Sequence, residues 1–173
     1  LVSTLIKRDL QAAIRSDQIR AYFQPIVDCQ SGELVGVEAL ARWHHPEQGF
    51  IPPGQFIPVA EESNLILELG EQILLQACQI GQQLNQQRQA QELPPVQVHV
   101  NLSARHFSSP SLLPKLEETL RQTEFPPSQL AIEITESMLL VSPRDAIRRM
   151  RRIKQLGVHL ALDDFGTGYS ALN

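Results

Sequence analysis

Cysteine is scarce: Cys29 and Cys78 are the only two in 173 residues. That excludes a disulfide scaffold, and their spacing excludes a thiolate metal site. Both read as small buried hydrophobes. Positive charge is not in excess either. Fifteen Lys and Arg stand against 19 Asp and Glu, a net charge of -4, so a face basic enough to neutralise a nucleic-acid polymer is not expected. No apolar run approaches the roughly 18 residues of a membrane span, and the run at the N-terminus is too short for a secretory signal. The expectation is a cytoplasmic domain with no direct membrane segment, leaving open how a longer parent protein is attached. What is present is apolar residue in quantity: 42% of the chain is hydrophobic, too much for a disordered chain and enough to build a core.

The spacing predicts a helix over Thr4 to Ser16, with Leu10, Ala13 and Ile14 on one stripe. Extended runs over Ile19 to Val27 and Leu34 to Ala41, joined by Asp28-Cys29-Gln30-Ser31-Gly32, read as a hairpin. Prolines 46, 52 and 53 with Gly49 and Gly54 mark a loop. A short helix follows over Gln55 to Glu62, then a long one from Leu65 to Gln87 with Ile66, Leu69, Ile73, Ala77, Ile80 and Leu84 inward. The Gln-rich stretch after it reads as a solvated helix end. From there strand and helix alternate. Strands are expected at Val96 to Val100, Leu130 to Ile134 and Val158 to Leu162. Helices are expected to open at Ser109-Pro110 and Ser142-Pro143, the second carrying Ile147, Met150, Ile153 and Leu156 on one face and stopping at Gly157. Such alternation gives an α/β fold with a parallel sheet covered by helices. A barrel and an open sheet both satisfy the pattern; a complete eight-stranded barrel typically takes about 250 residues. No glycine-rich fingerprint follows the first strand, which argues against a dinucleotide-binding fold.

Polar residues sit where apolar ones are expected. Glu38 lies inside Leu34 to Leu40, Glu133 inside Leu130 to Ile134, Asn101 directly after Val96 to Val100, and Asp163-Asp164 directly after Leu160-Ala161-Leu162. Several strands thus deliver an oxygen-bearing side chain near the C-terminal end. A carboxylate in apolar surroundings must be protonated, paired or metal-bound, and Arg42 is the nearest base. Oxygen donors with one amide suit Mg2+ or Mn2+; zinc lacks its usual Cys and His spacing.

Glu38-Ala39-Leu40 followed by Arg42-Trp43 resembles the signature of the EAL-domain family of cyclic-di-GMP phosphodiesterases. The matches continue in order through Gln24-Pro25-Ile26, His45-Pro46, Gly49-Phe50-Ile51-Pro52-Pro53, Phe56-Ile57-Pro58, Ala60-Glu61, Asn101-Leu102-Ser103, Glu133-Ile134-Thr135-Glu136 and Asp163-Asp164-Phe165-Gly166-Thr167-Gly168. The resemblance covers residues 19–173, leaving 1–18 as an N-terminal linker helix. It implies a TIM-type (β/α) barrel whose first strand is antiparallel, here with about five strands and without the last ones. It also implies that Glu38, Asn101, Glu133 and Asp163 bind one divalent metal, and that Asp163 bridges to a second held also by Asp164. Glu38, Asp163 and Asp164 would then be the catalytic set, Gln24, Leu40 and Arg42 would contact the substrate, with Arg42 at a phosphate, and Glu136 would anchor the loop Phe165 to Tyr169. The implied reaction is hydrolysis of cyclic-di-GMP to linear pGpG with Mg2+ or Mn2+, two metals roughly 4 Å apart activating a water for in-line attack.

The family pattern goes on to a Lys, a Glu and a Gln that would lie past Asn173, so the 173-residue chain alone is expected to hydrolyse little. An unfinished sheet is expected to self-associate, as a homodimer or otherwise, through its open edge. An upstream sensor or diguanylate-cyclase-like domain is a natural partner. The competing readings are a catalytically silent EAL module that binds the dinucleotide or a protein, and another metal-dependent barrel hydrolase. Arg148-Arg149 and Arg151-Arg152 read as a solvated helix face. His44 and His45 read as loop residues, Trp43 and Tyr169 as loop anchors, and His99 as an interior residue on the same strand face as Asn101.

Overall fold

The computed structural model describes residues 2–163. Helix α1 (Val2–Ile14) turns Leu10, Ala13 and Ile14 into the core. Strands β1 (Ile19–Val27) and β2 (Leu34–His45) pair antiparallel, with Gln24 opposite Glu38 and Tyr22 opposite Leu40. Their turn is closed by Asp28, whose Oδ1 accepts the backbone N–H groups of Gln30 and Ser31 at 2.9 and 2.8 Å. Gly32 completes it at φ 71°, a left-handed conformation that costs glycine little.

Strand β3 (Gly49–Ile51) then folds back on the far end of β2. Helices α2 (Pro53–Glu62) and α3 (Leu65–Ala90) lead to β4 (Gln97–Asn101). The short α4 (Ala104–Ser108) and α5 (Leu112–Thr123) lead to β5 (Leu130–Thr135). Helices α6 (Glu136–Val141) and α7 (Pro143–Gln155) lead to β6 (His159–Asp163). Among the described residues the strands make one six-stranded sheet in the order β1-β2-β4-β5-β6, with β3 on β2. The pairs β2–β4, β4–β5 and β5–β6 are parallel. This is the mixed α/β arrangement expected, an antiparallel first strand followed by parallel β/α units. No helix of the described residues is long and apolar enough to cross a membrane.

The differences from expectation have local causes. The stretch 46–54, expected as loop throughout, contains β3. His45 Nδ1 accepts the N–H groups of both Glu47 and Gln48 at 3.1 Å, and Gly49 adopts φ 71°, which closes a tight turn. Strand β2 therefore runs on to His45, so His44 and His45 belong to a strand. Trp43 is no loop anchor: it is fully buried, edge-on to Phe56 at 5.6 Å, with Nε1 donating to Gln18 Oε1 at 3.1 Å. Ser109 does not cap a helix at Pro110. Its hydroxyl bonds Ser111 Oγ at 2.8 Å, and the helix starts at Leu112. Ser103 caps the unforeseen α4 instead, accepting the His106 N–H at 3.0 Å. Cys29 is exposed in the hairpin turn, whereas Cys78 is buried and its thiol is pushed up to about 12 by desolvation. In α7 the face is turned so that Ala146 and Ile153 are buried and Ile147 is exposed.

Over 26 residues the inward stripe of α3 drifts, as a 3.6-residue period requires. Ile80 ends up 39% exposed, while Cys78, Gly81 and Asn85 face in. A Cβ on Gly81 would lie 2.7 Å from Val98 Cγ2, so the missing side chain lets β4 approach the helix. Asn85, in the stretch expected to be solvated, ties that helix to β4. Its Nδ2 donates to Val96 O at 2.9 Å and Gln129 Oε1 at 2.8 Å, and its Oδ1 accepts the Val96 N–H at 2.8 Å. Asn85→Ala leaves buried backbone groups without partners. The expected loss is about 2–3 kcal/mol, read in thermal melts as a drop of roughly 5–10 °C. An unchanged midpoint would show that the three bonds are replaceable.

Candidate active site

Alternation along the strands decides which side chains meet. In β1 and β2 the odd-numbered Ile19, Ala21, Val37, Ala39 and Trp43 are buried under the helices. The even-numbered Gln24, Glu38, Leu40 and Arg42 share the opposite face. In β4 and β5 the buried Val98, Val100, Ile132 and Ile134 leave His99, Asn101, Glu133 and Thr135 on that opposite face. Register completes the row: Glu38 lies beside His99, Asn101 beside Glu133, and Thr135 beside Asp163.

The expected donors are thus brought to adjoining strands, and two contacts hold them. Asn101 Nδ2 donates to Glu38 Oε1 at 2.9 Å. His99 Nδ1 donates to Glu133 Oε1 at 3.0 Å, since a carboxylate can only accept. Sequence reasoning put His99 on the correct face but missed this partner, naming Arg42 as the nearest base. The two-residue step from His99 to Asn101 signals the shared face; the partner itself follows only from the register of β4 on β5. Arg42 instead lies over the Phe50 ring, its Cζ 5.6 Å from the centroid. Burial pushes the Glu133 carboxyl above its ordinary value. The Glu38 charge adds to that, His99 opposes it, and Asp163 raises it further. Three mutually repelling carboxylates on one sheet face form an electronegative site. As the side chains stand, no group of three or more His, Cys, Asp or Glu among the described residues converges closely enough to enclose a metal. Asp164 and the loop that Glu136 was expected to anchor, Phe165 to Tyr169, lie outside the described residues. Glu136 itself opens α6, directly after β5.

Beside the row a cavity of about 540 Å³ opens, lined by Leu40, Arg42, Asn101, Ile57 and Met138, with His106 at its wall. His106 is 2% exposed, and its Nε2 has no hydrogen-bond partner. Gly70 of α3 makes room for the ring: a Cβ there would sit 2.6 Å from Nδ1. Burial lowers the His106 pKa from 6.5 to about 4. Above pH 6.5 the ring is neutral in both folded and unfolded chains, and stability is undiminished. As pH falls from about 6.5 to 4, only the unfolded chain takes up this proton, so stability is lost by on the order of 3 kcal/mol. Urea melts of His106→Leu are expected to show a flatter loss across that window than the parent; parallel curves would contradict the assignment.

An α/β sheet that gathers acidic side chains and an arginine at one sheet face, beside a cavity, makes that end of the sheet the candidate site. The chain belongs to the EAL domain family, whose model matches residues 7–173. The oxygen sensor protein DosP of Escherichia coli is 39% identical over 164 residues, 95% of this chain and 20% of that protein. The bifunctional diguanylate cyclase/cyclic di-GMP phosphodiesterase MucR of Pseudomonas aeruginosa is 37% identical over 164 residues, 95% of this chain and 23% of that protein. Among solved structures, the PaMucR phosphodiesterase in complex with c-di-GMP superposes with a TM-score of 0.89 at 36% identity, covering 97% of this chain and 66% of that one. The EAL enzyme Bd1971 with cAMP and cyclic-di-GMP bound gives 0.90 at 25% identity, covering 98% and 46%. This chain spans only about a fifth to a quarter of the length of such curated relatives.

Proposed function

We propose that the chain is the EAL domain of a metal-dependent phosphodiesterase that opens cyclic-di-GMP to linear pGpG in bacterial second-messenger signalling. The observation that carries the reading is the row of Glu38, Asn101, Glu133 and Asp163 on one face of adjoining strands, with Arg42 on the same face of β2. The similarity to MucR, a cyclic di-GMP phosphodiesterase by name, supports the substrate.

The donor chemistry fits Mg2+ or Mn2+: three carboxylates and an amide oxygen are hard ligands, and their mutual repulsion on Glu133 is what a cation would relieve. Glu38, Asn101, Glu133 and Asp163 would hold it, and Asp164 would extend the set toward a second. When bound, such ions stabilise charge on phosphoryl oxygens and acidify water. The chain's own residues supply orientation. Arg42 offers a planar fork that donates two hydrogen bonds to one phosphate. It shares the Glu38 face of β2, so a phosphate held by it would lie on the side of the sheet that carries the acidic row. His99 fixes the Glu133 carboxylate through its Nδ1–H, as outer partners do around metal ligands. Gln24, opposite Glu38, and Leu40, at the cavity wall, frame the rest of the ligand. A sensor or cyclase-like domain upstream would match relatives such as DosP and MucR.

The test is calorimetric titration of the chain with cyclic-di-GMP at saturating Mn2+ and in EDTA, followed by chromatography of the nucleotide. Affinity that depends on Mn2+ is the expected result, with little pGpG formed by the 173 residues alone. Equal affinity in EDTA would assign a metal-independent binding module instead, and absence of binding at saturating Mn2+ would overturn both.

A further inference from the structure

We infer that Tyr22, His44 and Phe50 form a stacking platform for one base of the bound dinucleotide, next to the phosphate at Arg42. This rests on the function proposed above. Beyond Arg42, the face of β2 that carries Glu38 and Leu40 continues to His44. Register sets Tyr22 beside Leu40 and Phe50 beside His44, so the rings join that face from both neighbouring strands. Tyr22 is 48% and Phe50 47% exposed. The ring centroids of Tyr22 and His44 are 5.7 Å apart, and those of His44 and Phe50 6.0 Å. Tyr22 Oη and His44 Nε2 are hydrogen-bonded at 3.1 Å, and the Arg42 guanidinium lies over Phe50.

Two further features point to an anionic aromatic ligand. Arg20 stands directly opposite Arg42 in the β1–β2 register, an arrangement that like charges disfavour unless an anion sits between them. Asp17, 3.1 Å from Arg20, neutralises only the outer of the two. Exposed rings held in a fixed array beside free guanidinium charge are what a purine nucleotide uses, its base on the π-faces and its phosphate on the arginines. Tyr22, His44 and Phe50 meet one another and Arg42, so their contribution is affinity and orientation.

The probe is linear pGpG, which the proposed activity would not consume, titrated in Mn2+ into the chain and into Phe50→Leu and Tyr22→Leu. Stacking on an aromatic ring contributes a factor of roughly 5–150 in affinity. Each variant is expected to bind about 10-fold more weakly, and Phe50→Trp to bind at least as well as the parent. A guanine H8 resonance should move upfield on binding to the parent, and the shift should shrink in both leucine variants. Affinity within twofold of the parent in both variants overturns the platform while leaving the function intact. So does weaker binding when the parent itself shows no ring-current shift. Absence of pGpG and cyclic-di-GMP binding by the parent overturns the function and the platform together. If Phe50→Leu unfolds by circular dichroism, Tyr22→Leu on the longer β1–β2 pair decides.

Discussion

Glu133→Gln is expected to make the protein more stable and to remove its response to Mn2+. Both effects come from one feature. The carboxylate is partly buried, close to the charges of Glu38 and Asp163, and opposed only by the single His99 contact. Holding three acidic groups on one sheet face costs folding energy that a packed apolar face would not. Glutamine keeps the shape and keeps an oxygen to accept from His99 Nδ1, while removing the repelling charge. The gain is expected to be about 1 kcal/mol, seen as a rise of roughly 2–4 °C in a melt without metal. With Mn2+ the order should reverse. The parent gains stability from a ligand that binds only the folded chain, and the variant, lacking one anionic donor, should bind the ion at least about 100-fold more weakly. Stability sacrificed for a charged site is a common trade in enzymes. A melting point that falls without metal would show that the His99 contact outweighs the repulsion. An undiminished Mn2+ shift in the variant would remove Glu133 from the donor set.

The legible parts of this chain were those governed by period and by punctuation. The β1–β2 hairpin could be read because Asp28 and Gly32 are turn formers between two extended runs. The acidic row could be read because a charged residue inside Leu130 to Ile134 has no packing reason to be there. Less legible were features that depend on what a side chain meets across the fold. Trp43 could be read as a loop residue because nothing in its neighbours announces that His45 would cap the next turn and extend the strand. Asn85 sits in a Gln-rich stretch that looks solvated, and only the approach of Val96 and Gln129 turns it into a buried clasp. Ile80 obeys a step of three or four and is still exposed, since a stripe on a long helix drifts away from the sheet it packs on. The His99–Glu133 contact required the parallel register of β4 and β5, which spacing alone does not supply.

Trp43→Ala is expected to be among the most destabilising single changes in the chain, and its effect should reach binding of the proposed ligand. The indole is fully buried, packs edge-on to Phe56 of α2 and donates to Gln18 ahead of β1. Truncation would lose that contact area, leave a cavity between sheet and helix, and strip Gln18 of its partner. Together these cost about 3–5 kcal/mol, a drop in melting temperature of roughly 10–15 °C. Trp43→Phe keeps most of the volume and the aromatic edge, so its loss should be nearer the roughly 1 kcal/mol of a hydrogen bond. Trp43 also lies between Arg42 and His44, which face the other way. In a strand a side chain anchored on one face fixes the phase of its neighbours on the other, and a slip by one residue would turn Arg42 into the core. In the alanine variant, measured at a temperature where it remains folded, cyclic-di-GMP affinity should therefore fall although no ligand contact has been removed. In the phenylalanine variant it should stay close to the parent. If both variants bind alike, the position of Arg42 is held by the β1–β2 and β2–β3 ladders alone, and the indole serves the core without serving the site.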